Sequence, residues 1–598
     1  MKKKRKNPQK KIQNTESVSP FSRKVRKAQK TIKNHMFLSS FLTVFVLFVI
    51  VLLAFTPKYQ TNDDVSMQWA VSGTGVVEQP DEHVRFSNVL IGLILKELYT
   101  FSPYFPWYAS YHFIVHFLSM TMLLYAILYK RFTWTRFSFF FIYFAGLELY
   151  FLNNLQFTIT SFIAGQSGIF LFLAFMNEKG LKSWIMTGIS SCLLLISLLV
   201  RYNSFYLVLL VAFPAILVFL VIHFKNSFII YKSVGFFLVT FFLVVFLNNF
   251  NKAYYENDPD WKDYYRLNSI KSRFIDYPHV TYSNSTRHIF DEVNWSVNDF
   301  YMLKTWFYSD ESIFSIENLE KVASNFPKYN PRLTFNIIVT NLLDIFQKTF
   351  IPIFMGIVFS LCIIKSRRDY LITIIGTAVF IVFLMSYLLI TAKLPERVYF
   401  PMISFFVVLS AFLSERDLNF STKEVGIREL LFTLAFMSLF FLVYQLLLDS
   451  AQNRQESKSI RRSMESMKSD KNKLFVNWGA SFPHTKILPF ENLEFLSDFN
   501  VLQLGTSTRS PFNKMRKADF NIKDLYRAMY EKDNIYFIVS NLRYLYYFAN
   551  HVQEHLNMDV QYTYYFEDRN LKVIRVVDET DPEYREETST KKIGSPYR

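Results

Sequence analysis

The residues best placed for chemistry are two adjacent carboxylates, Asp63 and Asp64, in 61-TNDDVSMQW. Adjacent carboxylates repel, so one pKa is expected to rise, and such a pair can supply a general base, a cation ligand or both. Read alone, the pair fits a solvated acidic turn better than a site. Cations come next. Arg201 stands in 200-VRYNS, a tight link between two apolar runs, and Lys393, Glu396 and Arg397 stand in 393-KLPERVYFP. A guanidinium can grip a phosphate through paired hydrogen bonds, and Glu396 can orient Arg397. Anchoring at the membrane interface is the competing role for each arginine. Arg85, in 81-DEHVRF, and His112 are further binding candidates. His112 and His116 are one helical turn apart, but no neighbouring carboxylate motif supports zinc, so packing or substrate lining is preferred. The run 72-SGTG is too short for a phosphate loop. Asn284 and Asn294 match the glycosylation acceptor pattern. The aromatic residues of 295-WSVNDFYMLKTWFYSDE can stack on sugar rings or pack a loop.

These residues sit between long apolar runs. Of 598 residues, 51% are hydrophobic and only 19% charged, against about 25% charged in soluble domains. Runs such as 36-MFLSSFLTVFVLFVIVLLAF and 204-SFYLVLLVAFPAILVFLVI reach the length that crosses a bilayer, where a helix alone satisfies its own backbone. Eleven spans are expected, at 36–55, 107–129, 136–152, 157–176, 184–200, 204–223, 230–248, 345–364, 371–391, 397–414 and 428–449. The arm 1–35 holds thirteen Lys/Arg against one acid, Glu16, and so carries +12 of the net +17. It reads as a cytoplasmic anchor touching anionic lipid, too long for an ordinary signal peptide. Beyond Phe21 it has no aromatic residue for base stacking, which argues against nucleic acid. The short loops 129-YKRFTWTR, 177-NEKGLKSW, 223-HFKNSFIIYK and 365-KSRRD are net positive, as cytoplasmic loops should be.

The partner loops then lie outside, including 56–106 and the aromatic stretch 250–336. The leftover run 86-FSNVLIGLILKELYTF carries Lys96 and Glu97 and is expected to lie along the outer membrane face as an interfacial helix, 86–101. After a basic linker, 450–470, strands near 473, 500, 534, 560 and 571 alternate with helices near 522 and 542. That pattern predicts a C-terminal α/β domain over 471–598. Parity of eleven spans places this domain outside. Cys192 and Cys362 both fall in apolar runs, so no disulfide or zinc motif is expected.

The acidic pair after the first span, the interfacial helix, the many spans, the later long loop and the C-terminal domain together resemble the GT-C superfamily of integral-membrane glycosyltransferases. The points of likeness in sequence are 62-NDD, 200-VRYNS, 295-WSVNDF and 396-ERVYFP. Where many bacterial relatives carry a Gly-Arg pair after the acidic loop, this chain reads 83-HVRFSN. The resemblance implies a polytopic α-helical membrane protein of GT-C-like fold, in a Gram-positive branch. It would move a sugar from a polyprenyl-phosphate donor to a cell-envelope glycan or lipid acceptor. Asp63 would be the base. Asp64 would support it or hold a divalent cation, Mg2+ or Mn2+. Arg201, Arg397 and Lys393 would hold the donor phosphate, and Glu396, Arg85 and His112 would bind substrate. A phosphate leaving group needs no protonation, which suits a site with one working acid rather than two. The rival classes are a transporter or flippase of lipid-linked sugars, expected to show inverted repeats and polar mid-membrane helices, and a glycan polymerase or ligase.

Overall fold

The computed structural model describes residues 35–276, 280–327, 335–361, 368–391, 393–415, 426–467 and 470–578. The basic arm up to residue 34, the loop residues 365–367, Cys362 and the segment 579–598 lie outside these residues. Among them, ten helices are long and apolar enough to cross a membrane: Met36–Ala54, Trp107–Lys130, Trp134–Asn153, Phe157–Phe175, Leu181–Val200, Tyr202–Ile222, Ser227–Glu256, Arg368–Thr391, Glu396–Leu413 and Glu429–Ser466. The first shows how such a helix is built. Its buried residues, Ser40, Val44, Phe48 and Val51, form one stripe, while the outward Leu53 is 80% exposed. Apolar side chains facing out are the pattern of a lipid-facing surface. Phe157–Phe175 is the reverse, buried on nearly every side and carrying Thr160, Ser161 and Gln166 inside.

Three expected elements differ in detail. The eighth span is not one helix over 345–364: Phe335–Lys348 and Phe350–Leu361 meet at 75°. The linker 450–470 is helical to Ser466, because the last span runs on as the 40-residue helix Ile427–Ser466. The interfacial helix is confined to Val89–Phe101, capped by Asn88, whose side chain accepts from the Leu90 amide at 3.1 Å. Lys96 on that helix pairs with Glu82 at 2.7 Å, which satisfies its charge without a bilayer crossing.

The C-terminal domain is a five-stranded mixed sheet. Strands β3 (Leu474–Asn477), β4 (Asn500–Gln503) and β5 (Ile535–Ile538) are parallel, and β6 (Val560–Glu567) and β7 (Lys572–Asp578) complete the order β4-β3-β5-β7-β6. β1 (Lys58–Tyr59) pairs in parallel with β2 (Asn154–Leu155), which ties the acidic loop to the third long helix. The stretch after residue 256 and the C-terminal domain are not separate bodies. They share one core, in which Phe307 stacks on Tyr526 and Phe548 and lies edge-on to Trp478.

These contacts bear on the number of crossings. The amide of Val501 donates to Gly75 O at 3.0 Å, so the loop after the first span and the domain after the last share a side. The 256–326 stretch shares it too. An even number of crossings must therefore separate residue 326 from residue 470. The three long helices in that interval reach an even number when the bent pair counts as a fourth, giving eleven candidate spans rather than ten.

Candidate functional site

The acidic pair opens the helix Asn62–Ser72, where carboxylates complement the positive end of the helix dipole. The helix ends at Gly73, in the left-handed region at φ 71°. Ser72–Gly75 is thus a helix stop docked on the C-terminal sheet, where Arg516 Nη2 donates to Gly75 O at 2.9 Å.

The two carboxylates occupy different environments. Asp63 is half-buried. Asp64 is fully buried and accepts from Thr61 Oγ1 at 3.0 Å, Tyr108 OH at 3.2 Å and the Phe157 amide at 3.1 Å. Burial pushes the Asp64 carboxyl up to about 8; the Thr61 hydrogen bond opposes it, and the Asp63 charge adds to it. The rise expected from adjacent charges is therefore mainly a desolvation effect. A divalent cation needs oxygen acceptors around it, whereas Asp64 is surrounded by donors. That donor set suits a hydrogen-bonded carboxyl better than a cation ligand, and Asp64 lies in neither of the two clusters of three His/Asp/Glu side chains that could hold a metal among the described residues.

Behind Asp64 a polar string enters the bundle. His112 Nε2 lies 3.9 Å from Asp64 Oδ1, and its Nδ1 is 2.8 Å from Thr160 Oγ1. Thr160 Oγ1 is 3.1 Å from His116 Nε2, whose Nδ1 is 2.6 Å from Glu148 Oε1. Glu148 ends a π-helical turn, Phe144–Glu148, and such turns recur at functional sites. The sequence reading passed over Glu148 as part of an apolar span; the lone acid in 136–152 was the available signal.

In front of the acid helix stand the cations. Arg85 is 6% exposed. Its Nη1 donates to Ser507 Oγ at 2.6 Å and Thr506 Oγ1 at 3.3 Å, and its Nη2 donates to Ser66 Oγ. Ser66 is one turn from Asp63 on the same helix. These three partners are neutral hydroxyls, the Tyr264 hydroxyl is a further neutral neighbour and the Phe86 ring lies 5.9 Å away, and among the described residues no carboxylate lies within ion-pair distance of Arg85. Arg85 and Arg201 together line a cavity of about 900 Å3 with Phe86, Tyr202, Lys252 and Tyr265. Arg201 donates to Phe86 O at 3.2 Å and lies over the Phe86 and Phe157 rings at 5.2 and 5.0 Å.

Lys271, which sequence reasoning missed, is 2% exposed and pairs with Asp276 at 3.6 Å. Burial pulls its ammonium down to about 8, against the opposing charges of Asp276 and Asp63, while Arg85 pulls the same way as burial. Lys393 reaches the other oxygen of Asp276 at 3.7 Å. Glu396 accepts from Tyr150 OH. Arg397 is half-buried beside it, makes no hydrogen bond or ion pair among the described residues, and does not line the large cavity. The expected residues thus fall into two groups: Arg85 and Arg201 at the cavity, and Lys393, Glu396 and Arg397 around Asp276 and Tyr150.

No family model and no curated protein matches the chain. Among solved structures, ArnT from Cupriavidus metallidurans bound to undecaprenyl phosphate is similar at a TM-score of 0.36 and 10% identity, over 90% of this chain and 97% of that one.

Proposed function

We propose that this chain is a GT-C-type glycosyltransferase that takes a sugar from a polyprenyl-phosphate donor and passes it to a cell-envelope glycan or lipid acceptor at the outer membrane face. The observation that carries this reading is Arg85: a buried guanidinium at the wall of a large cavity, hydrogen-bonded to neutral hydroxyls, lying over the Phe86 ring, and with no ion-paired carboxylate among the described residues. A buried cation without a counter-ion is costly, so its environment favours an incoming anion. Phosphate suits it, because a guanidinium offers paired donors to two oxygens. Arg201 on the same wall supplies a second cation. The cavity also touches Leu198, at the end of a membrane-spanning helix, a fitting entry for a lipid chain.

Asp63 is the base. It is the accessible carboxylate, one turn from the Ser66 that holds Arg85. As the sugar–phosphate bond breaks, Asp63 takes or steers the acceptor hydroxyl proton, and Arg85 and Arg201 meet the charge that develops on the departing phosphate. Asp64, buried and largely protonated at neutral pH, positions the helix through Thr61, Tyr108 and Phe157.

Two measurements test this. Lipid-donor and glycan profiles of cells with and without the protein should differ, and an unchanged envelope glycan would overturn the reading. Arg85→Ala should weaken binding of a polyprenyl phosphate by roughly ten- to a hundredfold, the worth of charge-assisted hydrogen bonds; wild-type affinity would leave Arg85 a structural residue.

A further inference from the structure

Away from this site, two histidines and one carboxylate converge where the 256–326 stretch meets the C-terminal domain. His551 and His555 lie at i, i+4 on the helix Arg543–Leu556, so both side chains project from one face. Asp299 comes from a different element, the helix Val297–Lys304. Asp299 Oδ1 is 2.5 Å from His551 Nδ1 and 2.9 Å from His555 Nε2. Asp299 is fully buried, His551 is 1% exposed and His555 is 19% exposed, so the cluster is closed on the protein side and open beside His555.

The surroundings hold these groups in place. The Ser296 amide donates to Asp299 Oδ2 at 2.7 Å, within a capping box. Phe314 stacks on the His551 ring at 5.8 Å. Glu554 accepts from Ser296 and Asn298, both at 2.6 Å, so a second carboxylate is fixed nearby. Asp310 adds a further negative field at His555. Burial pushes the Asp299 carboxyl up, but the hydrogen bonds from His551 and His555 outweigh it and hold it down to about 2.

We propose that Asp299, His551 and His555 bind a zinc-class transition metal ion that fastens the 256–326 stretch to the C-terminal domain. Two imidazole nitrogens and a carboxylate are the donors that suit such a metal and not Mg2+ or Ca2+. Three protein ligands leave a fourth position, on the exposed side, for water. Bonds of about 2.0 Å in a tetrahedron set ligand atoms about 3.3 Å apart. The two Asp299–His distances therefore have to open by less than about 1 Å, and all three ligand atoms already lie within 4.8 Å of one another. Ligation needs the coordinating imidazole nitrogens and the carboxylate free of protons, so metal binding is expected to weaken as pH falls. The other group of three candidate ligands, Asp81, Glu82 and His83, is already consumed by its own partners: His83 pairs with Asp81, and Glu82 with Lys96 and Tyr254.

The test uses the full untagged chain in detergent, stripped with a chelator and equilibrated with buffered Zn2+. Elemental analysis should find one retained zinc per chain, lost in Asp299→Asn and in His555→Gln. The His555 position, the more exposed of the two histidines, guards against misreading a folding defect. Wild-type protein equilibrated with Co2+ needs no variant at all and should show the intense visible absorption of tetrahedral nitrogen and oxygen ligation. Zinc retention equal in wild type and both variants, or a Co2+ spectrum no different from the free ion, would overturn the proposal. Neither readout depends on sugar transfer.

Discussion

At the scale of single residues, Asp63 and Asp64 are neighbours in sequence and opposites in environment. Asn keeps the shape of Asp but cannot take a proton, and general base catalysis is worth about 10²–10⁴-fold. Asp63→Asn is expected to lower transfer by that order while donor binding persists; full turnover in the variant would remove Asp63 from the chemistry. Asp64 calls for a different measurement. Its carboxyl titrates near 8 in the folded protein against 3.8 in the unfolded chain. Between those values the folded state binds more protons, so Asp64's share of stability is complete below about pH 4, declines as pH rises and is gone above about 8. Asp64→Asn cannot titrate and should flatten the thermal stability profile over that window. An unchanged pH slope would mean that the carboxylate is already ionised in the folded protein.

At the scale of elements, the polar string depends on which helices face one another. His116 is on Trp107–Lys130, Thr160 on Phe157–Phe175, and Glu148 on a π turn of the third long helix. Removing one partner of a buried hydrogen-bonded pair leaves the other unsatisfied, at a cost of about 1–3 kcal/mol. His116→Leu should therefore lower the thermal midpoint in detergent clearly more than Glu148→Gln, which keeps an acceptor for His116. Equal midpoints would show that Glu148 reaches water. The periodicity of apolar residues made nearly every one of these helices legible, and the loop charges separated spans from the surface helix. The pairings were not legible. Nothing in the sequence says that Glu148 faces His116, that Arg85 meets Ser507 from a domain more than 400 positions away, or that Lys271 is buried beside Trp306, because each juxtaposition arises from tertiary packing. The bend at Thr349 also escaped, since a hydropathy window averages across it. The carboxyl pair itself was legible, but its asymmetry depends on Tyr108 and Phe157.

At the scale of the whole molecule, the acid helix, the 256–326 stretch and the C-terminal domain gather on one side of the bundle, opposite the end from which the first span begins. Buried Arg136 marks the other side, where its guanidinium donates to the carbonyls of Ser414 at 2.7 Å, Ile127 at 2.9 Å and Phe412 at 3.0 Å. The basic stretches 129–136, 177–184 and 223–232 belong to the same end of the bundle, and on the positive-inside rule we propose that this side is cytoplasmic. On that proposal the site and the C-terminal domain face outward. A single cysteine reports this directly, in a chain whose Cys192 and Cys362 have been replaced by Ala. Ser481 is a poor probe because it is only 8% exposed, whereas Lys523 is exposed in the C-terminal domain. Lys523→Cys should react with a membrane-impermeant thiol reagent in intact cells, to the same extent before and after lysis. Labelling that appears only on lysis would turn the molecule over, place the cavity of Arg85 and Arg201 on the cytoplasmic leaflet, and remove envelope glycans as acceptors.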